Sequence, residues 1–235
     1  MSICYTFHMS LLKDWSEDWK CILKGELDSM RNSNPPKEYL GFTKKGYPPV
    51  VLLPGITRKW GFLKKLADKI SEAGYPVYAL PDLKRNMMSI PRSARIVEKL
   101  LASQNIKGAI LIGHSKGGLV AKYLLAKSSE RKNIRAAITI ATPFLGSEIA
   151  RLSLSKAYQE LTPESKIVRE LAKNRAINRK IYSLIPVYDN LLPQQKSYLP
   201  GGHNLIINAR GHHTIVFDPR TIKIILGILN QYRRG

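Results

Sequence analysis

From residue 49 onward, short apolar runs alternate with stretches whose apolar residues recur every three or four positions. The apolar runs predict buried strands, at about 49–54, 77–80, 108–112, 136–140, 184–187 and 203–207. The amphipathic stretches predict helices, over 60–73, 90–103, 119–127 and 221–232. Continuously apolar strands that alternate with helices are typical of a parallel sheet covered on both faces. The pattern therefore predicts an α/β fold with a mostly parallel, doubly wound sheet.

Two segments depart from this alternation. Residues 1–48 are polar and mixed, with a break at Pro35-Pro36. They predict an N-terminal lead-in that packs a helix, over about 10–31, on the main domain of residues 49–235. Residues 145–182 contain amphipathic helical pieces and predict a short helical cap inserted in that domain. Two interpretations of the cap stay open: a lid over a binding cleft, or ordinary packing against the sheet edge.

Composition excludes several protein classes. With 44% hydrophobic residues in 235, the chain can bury a core, which excludes a disordered polybasic tail. Its apolar runs fall short of the roughly 18 residues that a membrane span needs, so an integral membrane protein is not expected. The two cysteines, Cys4 and Cys21, are too few for a disulfide scaffold, and the first residues form a poor secretory signal. We therefore expect a cytoplasmic protein with reduced thiols.

The chain is strongly basic, with a formal net charge of +21. Residues 1–48 hold seven basic and six acidic residues, so the remaining 31 basic and 11 acidic residues give 49–235 a net charge of +20. Such a body attracts polyanions, and peripheral contact with an anionic membrane is one expectation. Because the basic residues are spread over most helices, solvated helix faces are the favoured interpretation. The sequence contains no motif of a specific nucleic-acid-binding module.

The chemical signal is the segment Gly113-His114-Ser115-Lys116-Gly117, which has a predicted strand before it and a predicted helix after it. A serine on a tight strand-to-helix turn projects its hydroxyl above the sheet edge, and this Gly-x-Ser-x-Gly context is typical of a nucleophile elbow. The backbone N–H of Lys116 would then lie at a helix N-terminus, where it can donate to an oxyanion. We also consider that the Lys116 side chain brings positive potential to the site and favours anionic lipids.

On these residues the chain resembles the α/β-hydrolase superfamily, in particular its small lipase/esterase branch, over about 49–232. Pro54-Gly55-Ile56 resembles the family's His-Gly-x loop, with Pro54 in place of the histidine. The resemblance implies that Ile56, or alternatively Thr57, supplies the second oxyanion N–H. Two further segments carry the resemblance: Thr142-Pro143-Phe144-Leu145-Gly146-Ser147 and Leu161-Thr162-Pro163-Glu164-Ser165.

A serine hydroxyl is too weak an acid to ionise at neutral pH, so the nucleophile needs a base and the base needs an orienting acid. Asp189 directly follows a predicted strand, and its loop resembles the family's Asp-x-x-Val-Pro segment. His212 follows the last strand in the register of the family's Gly-His segment, with His213 as the alternative base. His114 is expected to be a packed core histidine. A metal site is not expected, because adjacent histidines rarely point at one ion.

The resemblance implies a serine carboxylic-ester hydrolase that uses Ser115, His212 and Asp189 through an acyl-enzyme, with an ester or lipid substrate and no cofactor. Two alternatives stay open. One is an acyltransferase, thioesterase or amidase on the same triad. The other is a catalytically silent protein of this fold that binds anionic membrane or nucleic acid through its basic body.

Overall fold

Six strands form one open sheet in the computed structural model, which describes residues 2–41 and 43–233, with side chains from residue 12 onward. The strands are β1 (Val50–Leu53), β2 (Val77–Ala79), β3 (Ala109–His114), β4 (Ile134–Ile140), β5 (Ile181–Tyr188) and β6 (His203–Arg210). Their order is β2-β1-β3-β4-β5-β6, and every neighbouring pair is parallel. The parallel, doubly wound sheet predicted from the sequence is confirmed.

Helices connect the strands and cover both faces of the sheet. The α-helices are α1 (Ser2–Arg31), α2 (Glu38–Gly41), α3 (Lys64–Glu72), α4 (Ile90–Ser103), α5 (Lys116–Lys127), α6 (Lys156–Gln159), α7 (Lys166–Lys173), α8 (Gln194–Ser197), α9 (Thr214–Phe217) and α10 (Pro219–Asn230). Short 3-10 helices lie at Trp60–Leu63, Pro81–Leu83, Ser129–Asn133, Ile149–Leu152 and Asn178–Lys180.

The strands divide their side chains between two cores. Val50 and Leu52 of β1 face a core that also contains α3 and α10, whereas Val51 and Leu53 face a core with α4, α5 and α7. All four residues of β1 are completely buried. Alternate residues of a strand point to opposite faces, so a sheet that is covered twice needs apolar residues at every position. This explains why the central strands are continuous apolar runs.

The element bounds differ from the expected ones at several ends. α1 begins at Ser2, well before the expected residue 10, because the segment up to Arg31 contains no proline to stop it. α5 begins at Lys116 and not at 119, directly after Ser115. The last helix begins at Pro219 because Asp218 caps it, accepting a hydrogen bond from the N–H of Arg220. β6 continues three residues past its expected end, to Arg210.

α1 lies against the main domain along most of its described length. Gly25 packs so closely on the ring of Phe62 that a Cβ atom at this position would lie 2.3 Å from a ring carbon. Asp14 pairs with Arg210 at 2.7 Å, and Glu26 pairs with Arg58 at 2.7 Å. The helix is thus attached by one close apolar contact and by carboxylates that reach distant parts of the chain.

The residues that carry the candidate chemistry follow the carboxyl ends of four strands. Ile56 follows β1, Ser115 follows β3, Asp189 follows β5 and His212 follows β6. Because the strands are parallel, these ends meet at one edge of the sheet. The strand order reverses between β1 and β3, and open α/β sheets bind their ligands at such a switch point.

Candidate active site

Ser115 is held in a strained turn between β3 and α5. Its φ of 52° and ψ of −120° are unusual for a residue with a side chain. Its N–H donates to the carbonyl of Ile140 at 2.8 Å, which ties the turn to β4. Gly117 passes so close to β1 that a Cβ atom there would lie 2.1 Å from the Leu53 carbonyl oxygen. The geometry is therefore that of a strand-to-helix elbow, which requires glycine two residues after the serine.

His212 and Asp189 form a buried hydrogen-bonded pair next to this turn. Nδ1 of His212 lies 2.8 Å from Oδ2 of Asp189, and the carboxylate side chain is 1% exposed. The other oxygen, Oδ1, accepts from the N–H groups of Leu191 and Leu192, at 2.8 Å each. Asn190 accepts from the N–H of His212 at 2.9 Å. The loop after β5 therefore fixes both the carboxylate of Asp189 and the backbone of His212.

This pairing sets the protonation of His212. Burial acts to lower the pKa of His212, but the charge of Asp189 and its hydrogen bond outweigh burial, so the pKa lies above the ordinary 6.5. A carboxylate at Nδ1 also fixes the tautomer, with the proton on Nδ1 and a lone pair on Nε2. The arrangement can accept a proton at Nε2 and stabilise the resulting imidazolium.

His213 forms a second carboxylate–imidazole pair, with a residue that the sequence analysis did not identify. Its Nδ1 lies 2.9 Å from Oδ2 of Asp18, a residue of α1. Asp18 also accepts from the backbone N–H groups of His213 at 2.7 Å and Thr214 at 2.9 Å. Burial lowers the pKa of His213 to about 4 against the opposing effect of Asp18. His213 is therefore neutral at pH 7.

Asp18 itself stays ionised. Burial acts to raise the pKa of the Asp18 carboxyl, but the hydrogen bond and charge of His213 and the two backbone N–H groups outweigh it and hold the pKa well below its usual range. Its Oδ1 also accepts from the hydroxyl of Thr214 at 3.1 Å, and Oδ2 from Nδ2 of Asn190 at 3.2 Å. Asp18 thus joins α1 to the two loops that carry Asp189 and His212.

His114 packs in the core, as the sequence predicted. It is 1% exposed, and its ring stacks on Phe62 at a centroid distance of 5.7 Å. Burial holds the pKa of His114 well below its usual range. Its Nε2 lies 3.1 Å from the carbonyl oxygen of His212, so His114 supports the backbone of the loop after β6.

The serine turn and the loop of the two histidines line one small cavity of about 130 Å³. Its polar end includes Ser115, His212 and His213, and the loop residues Ile56 and Thr57 also line it. The other wall is contributed by the cap and the loop after β5, through Ser147, Ile149, Ala150, Tyr158, Leu161, Leu191 and Leu192. Among the described residues, the Ser115 hydroxyl makes no hydrogen bond to either imidazole. Catalytic hydrogen bonds often tighten only when substrate is bound.

The side chain of Lys116 points away from the cavity, into the loop at 86–88. Its side chain is fully buried, and Nζ donates to the carbonyls of Asn86, at 3.0 Å, and Met88. Burial lowers the pKa of Lys116 to about 8, although the charge of Glu160 opposes the shift. Lys116 does not line the cavity, so its ammonium group does not contact a substrate there, and its effect on lipid preference stays a prediction. The backbone N–H of Lys116 remains at the N-terminus of α5.

Ser147 and Leu161 of the cap segment both line the cavity, and the N–H of Ser147 donates to the carbonyl of Leu161 at 2.8 Å. In the part of the chain that the structure describes, no three histidine, cysteine or acidic side chains cluster as metal ligands.

Several solved structures that share this architecture are lipases. Aspergillus fumigatus lipase B superimposes with a TM-score of 0.71 at 17% identity, over 84% of this chain and 55% of that chain. The mature form of Bacillus licheniformis lipase BlEst2 gives 0.60 at 16% identity, over 84% of this chain and 96% of that one. The chain has the α/β-hydrolase fold. Paleococcus ferrophilus monoacylglycerol lipase also matches, with a TM-score of 0.60 at 16% identity over 80% of this chain and 95% of that one.

Sequence comparisons are sparser than the structural ones. The model of the PGAP1-like alpha/beta domain family matches residues 83–187, from the end of the second 3-10 helix through most of β5. No curated protein sequence matches the chain. The resemblance to α/β-hydrolases that the sequence motifs indicated is thus confirmed. The chain spans little more than half the length of the Aspergillus lipase.

Proposed function

We propose that this α/β-hydrolase-fold protein is a serine carboxylic-ester hydrolase of the lipase/esterase type. The observation that carries the proposal is the shared cavity: a serine in a strained elbow and an imidazole backed by a buried carboxylate line the same wall. These residue types in this arrangement suit acyl transfer to a serine. The lipases among the structural neighbours support the same class of reaction.

In the proposed reaction, Ser115 Oγ attacks the ester carbonyl while Nε2 of His212 takes the hydroxyl proton. Asp189 holds the imidazole and stabilises its charge. The N–H groups of Lys116 and Ile56 donate to the oxyanion, with Thr57 as the alternative to Ile56. His212 then gives its proton to the leaving alcohol, and water hydrolyses the acyl-enzyme by the reverse sequence of proton transfers. Asp18 and His213 position the loop and do not contact the reacting atoms.

A fluorophosphonate probe tests the nucleophile, because it phosphonylates only activated serines. We expect labelling of the wild type and none of Ser115→Ala. Ser147→Ala is the matched control, because Ser147 lines the same cavity but lies outside the elbow. Labelling that persists in S115A, or that is absent from wild type and both variants, would refute the proposal. The second result would favour the catalytically silent alternative.

The substrate class needs a separate assay. Matched ester, thioester and amide substrates of one acyl chain, each with water or an added alcohol as acceptor, separate the hydrolase from an acyltransferase, thioesterase or amidase. We expect the ester with water to have the highest kcat/KM.

A cytoplasmic location is proposed on the cysteine content alone, and Cys21 is a free thiol.

A further inference from the structure

One face of α1 carries large apolar side chains that point into solvent. They recur every three or four positions, so they form a single stripe along the helix. Each is at least 40% exposed: Leu12, Trp15, Trp19, Leu23, Leu27 and Met30. We call these six residues the α1 stripe. It extends over about 27 Å of helix, at about 1.5 Å per residue.

The stripe is not the face that holds α1 to the domain. That face carries Asp14 and Asp18, which bind Arg210 and the loop after β6, and Gly25, which packs on Phe62. An exposed apolar face beyond the packed one indicates a second binding surface, because isolated apolar residues on a surface are common but contiguous ones are not.

Charges around the stripe indicate what it contacts. Lys13, Lys20, Lys24 and Arg31 are all exposed and share one side of the helix. Three of the five acidic residues of α1 are instead bound by basic groups or backbone of the main domain: Asp14, Asp18 and Glu26. Glu17 pairs with Lys20. In the described part of the chain, Lys13, Lys24 and Arg31 make no ion pair, so this side of α1 keeps three cations in a chain of net charge +21.

We propose that the α1 stripe docks the protein on the surface of an anionic lipid bilayer, with α1 lying in the plane of the interface. An apolar stripe with tryptophans, edged by lysine and arginine, is the pattern of interfacial helices. Indole rings favour the boundary between headgroups and acyl chains, and the cations are attracted to anionic headgroups. Among residues 2–41 and 43–233, no helix is long and apolar enough to cross a membrane.

The docked helix would lie beside the candidate active site. Glu26 pairs with Arg58, which lines the cavity, and Asp18 holds the loop of His212. The cap adds further exposed apolar side chains, Ile149 at the cavity and Leu152 and Leu154 nearby in sequence. On this basis the ester substrate is a lipid taken from the bilayer, a step that rests on the proposed function.

Tryptophan fluorescence measures the docking directly. Trp15 and Trp19 lie in the stripe, whereas Trp60 is 2% exposed in the core and serves as an internal constant. The full chain is titrated with vesicles of ether-linked phosphatidylcholine, alone or with about a third ether-linked phosphatidylglycerol. Neither lipid contains a carboxylic ester for the protein to cleave. We expect a blue shift with the anionic vesicles and binding at least about tenfold weaker to the neutral ones.

Two variants make the test specific to the stripe. The double variant Leu23→Gln/Leu27→Gln keeps both tryptophans, and we expect its binding to fall about 10- to 100-fold. Ile206→Gln is the control, because Ile206 is an equally exposed apolar residue on β6. It should bind as wild type does, and circular dichroism should show that both variants are folded.

Several results would overturn the proposal. They are the absence of binding by wild type to anionic vesicles, equal binding by the double variant, or a lipid-independent dimer that buries the stripe, seen by analytical ultracentrifugation. Ser115→Ala should bind vesicles normally, so docking and catalysis fail separately. If the docking proposal and the proposed function are both correct, the double variant should lose hydrolysis of ester lipid in vesicles. It should keep hydrolysis of a water-soluble short-chain ester.

Discussion

Replacing Asp18 by alanine tests whether α1 holds in place the loop after β6, which carries the proposed base His212. The substitution removes the acceptor of five hydrogen bonds, of which the two from His213 are fully buried. Each buried donor left without an acceptor costs about 1–3 kcal/mol, and Asp18→Ala leaves both buried donors of His213, its backbone N–H and its ring N–H, without one. We therefore expect Asp18→Ala to lower the free energy of unfolding by about 3–5 kcal/mol.

Asparagine at the same position should be much milder. Its Oδ1 can still accept from the N–H groups of His213 and Thr214. Because His213 is neutral, with a pKa of about 4, it can move its proton to Nε2 and accept from the asparagine NH2 group at Nδ1. We expect Asp18→Asn to cost about 1–2 kcal/mol, the difference between a charge-assisted and a neutral hydrogen-bond network.

Denaturant unfolding and enzyme kinetics together check this reasoning. For a chain of this size, 3–5 kcal/mol corresponds to a fall in Tm of about 6–20 °C. Glu17→Ala is the control on the same helix, because its exposed ion pair with Lys20 should contribute less than about 1 kcal/mol. In Asp18→Asn, kcat should fall with KM nearly unchanged, because the loop of His212 loosens while the cavity stays. A loss below 1 kcal/mol in Asp18→Ala would refute the role given to Asp18.

Three further perturbations follow from the site and its surroundings. Gly117→Ala should lower Tm by about 10 °C or more, since its Cβ atom would overlap the Leu53 carbonyl; an unchanged melting curve contradicts the elbow geometry. The kcat/KM profile should rise with pH through a pKa above 6.5, because His212 must be neutral to act as base. Asp189→Asn should shift this pKa to a lower value, because it removes the charge that raises the pKa of His212. Lys122→Met should raise stability at pH 7 by about 1 kcal/mol or more in urea unfolding, because burial lowers the lysine pKa to about 8 and so disfavours its charged form.

Local sequence signals predicted most of the architecture. The strand runs and the Gly-x-Ser-x-Gly turn depend on neighbours within a few positions, and the structure contains them with shifts at their ends. Asp189 and His212 could be named because their segments resemble those of the α/β-hydrolase family, and parallel strands carry residues that follow them to one edge. Their roles in catalysis remain proposals.

The contacts of α1 could not be predicted in the same way. Asp18 and His213 are 195 positions apart, and no spacing rule connects a helix to a loop at that distance. The polar spacing of α1 gave one usable signal, since Asp14 and Asp18 lie one turn apart on a helix face. The direction of the Lys116 side chain depends on the loop at 86–88 that it enters, which the pattern around the elbow does not describe.

The rate of serine modification by a fluorophosphonate, compared between His212→Gln and His213→Gln, tests the central claim most directly. If His212 is the base, the rate constant for modification of Ser115 should fall at least about 1,000-fold in H212Q. In H213Q it should fall less than about tenfold, because His213 only positions the loop. A larger loss in H213Q than in H212Q, or equal reactivity of H212Q and wild type, would contradict the account.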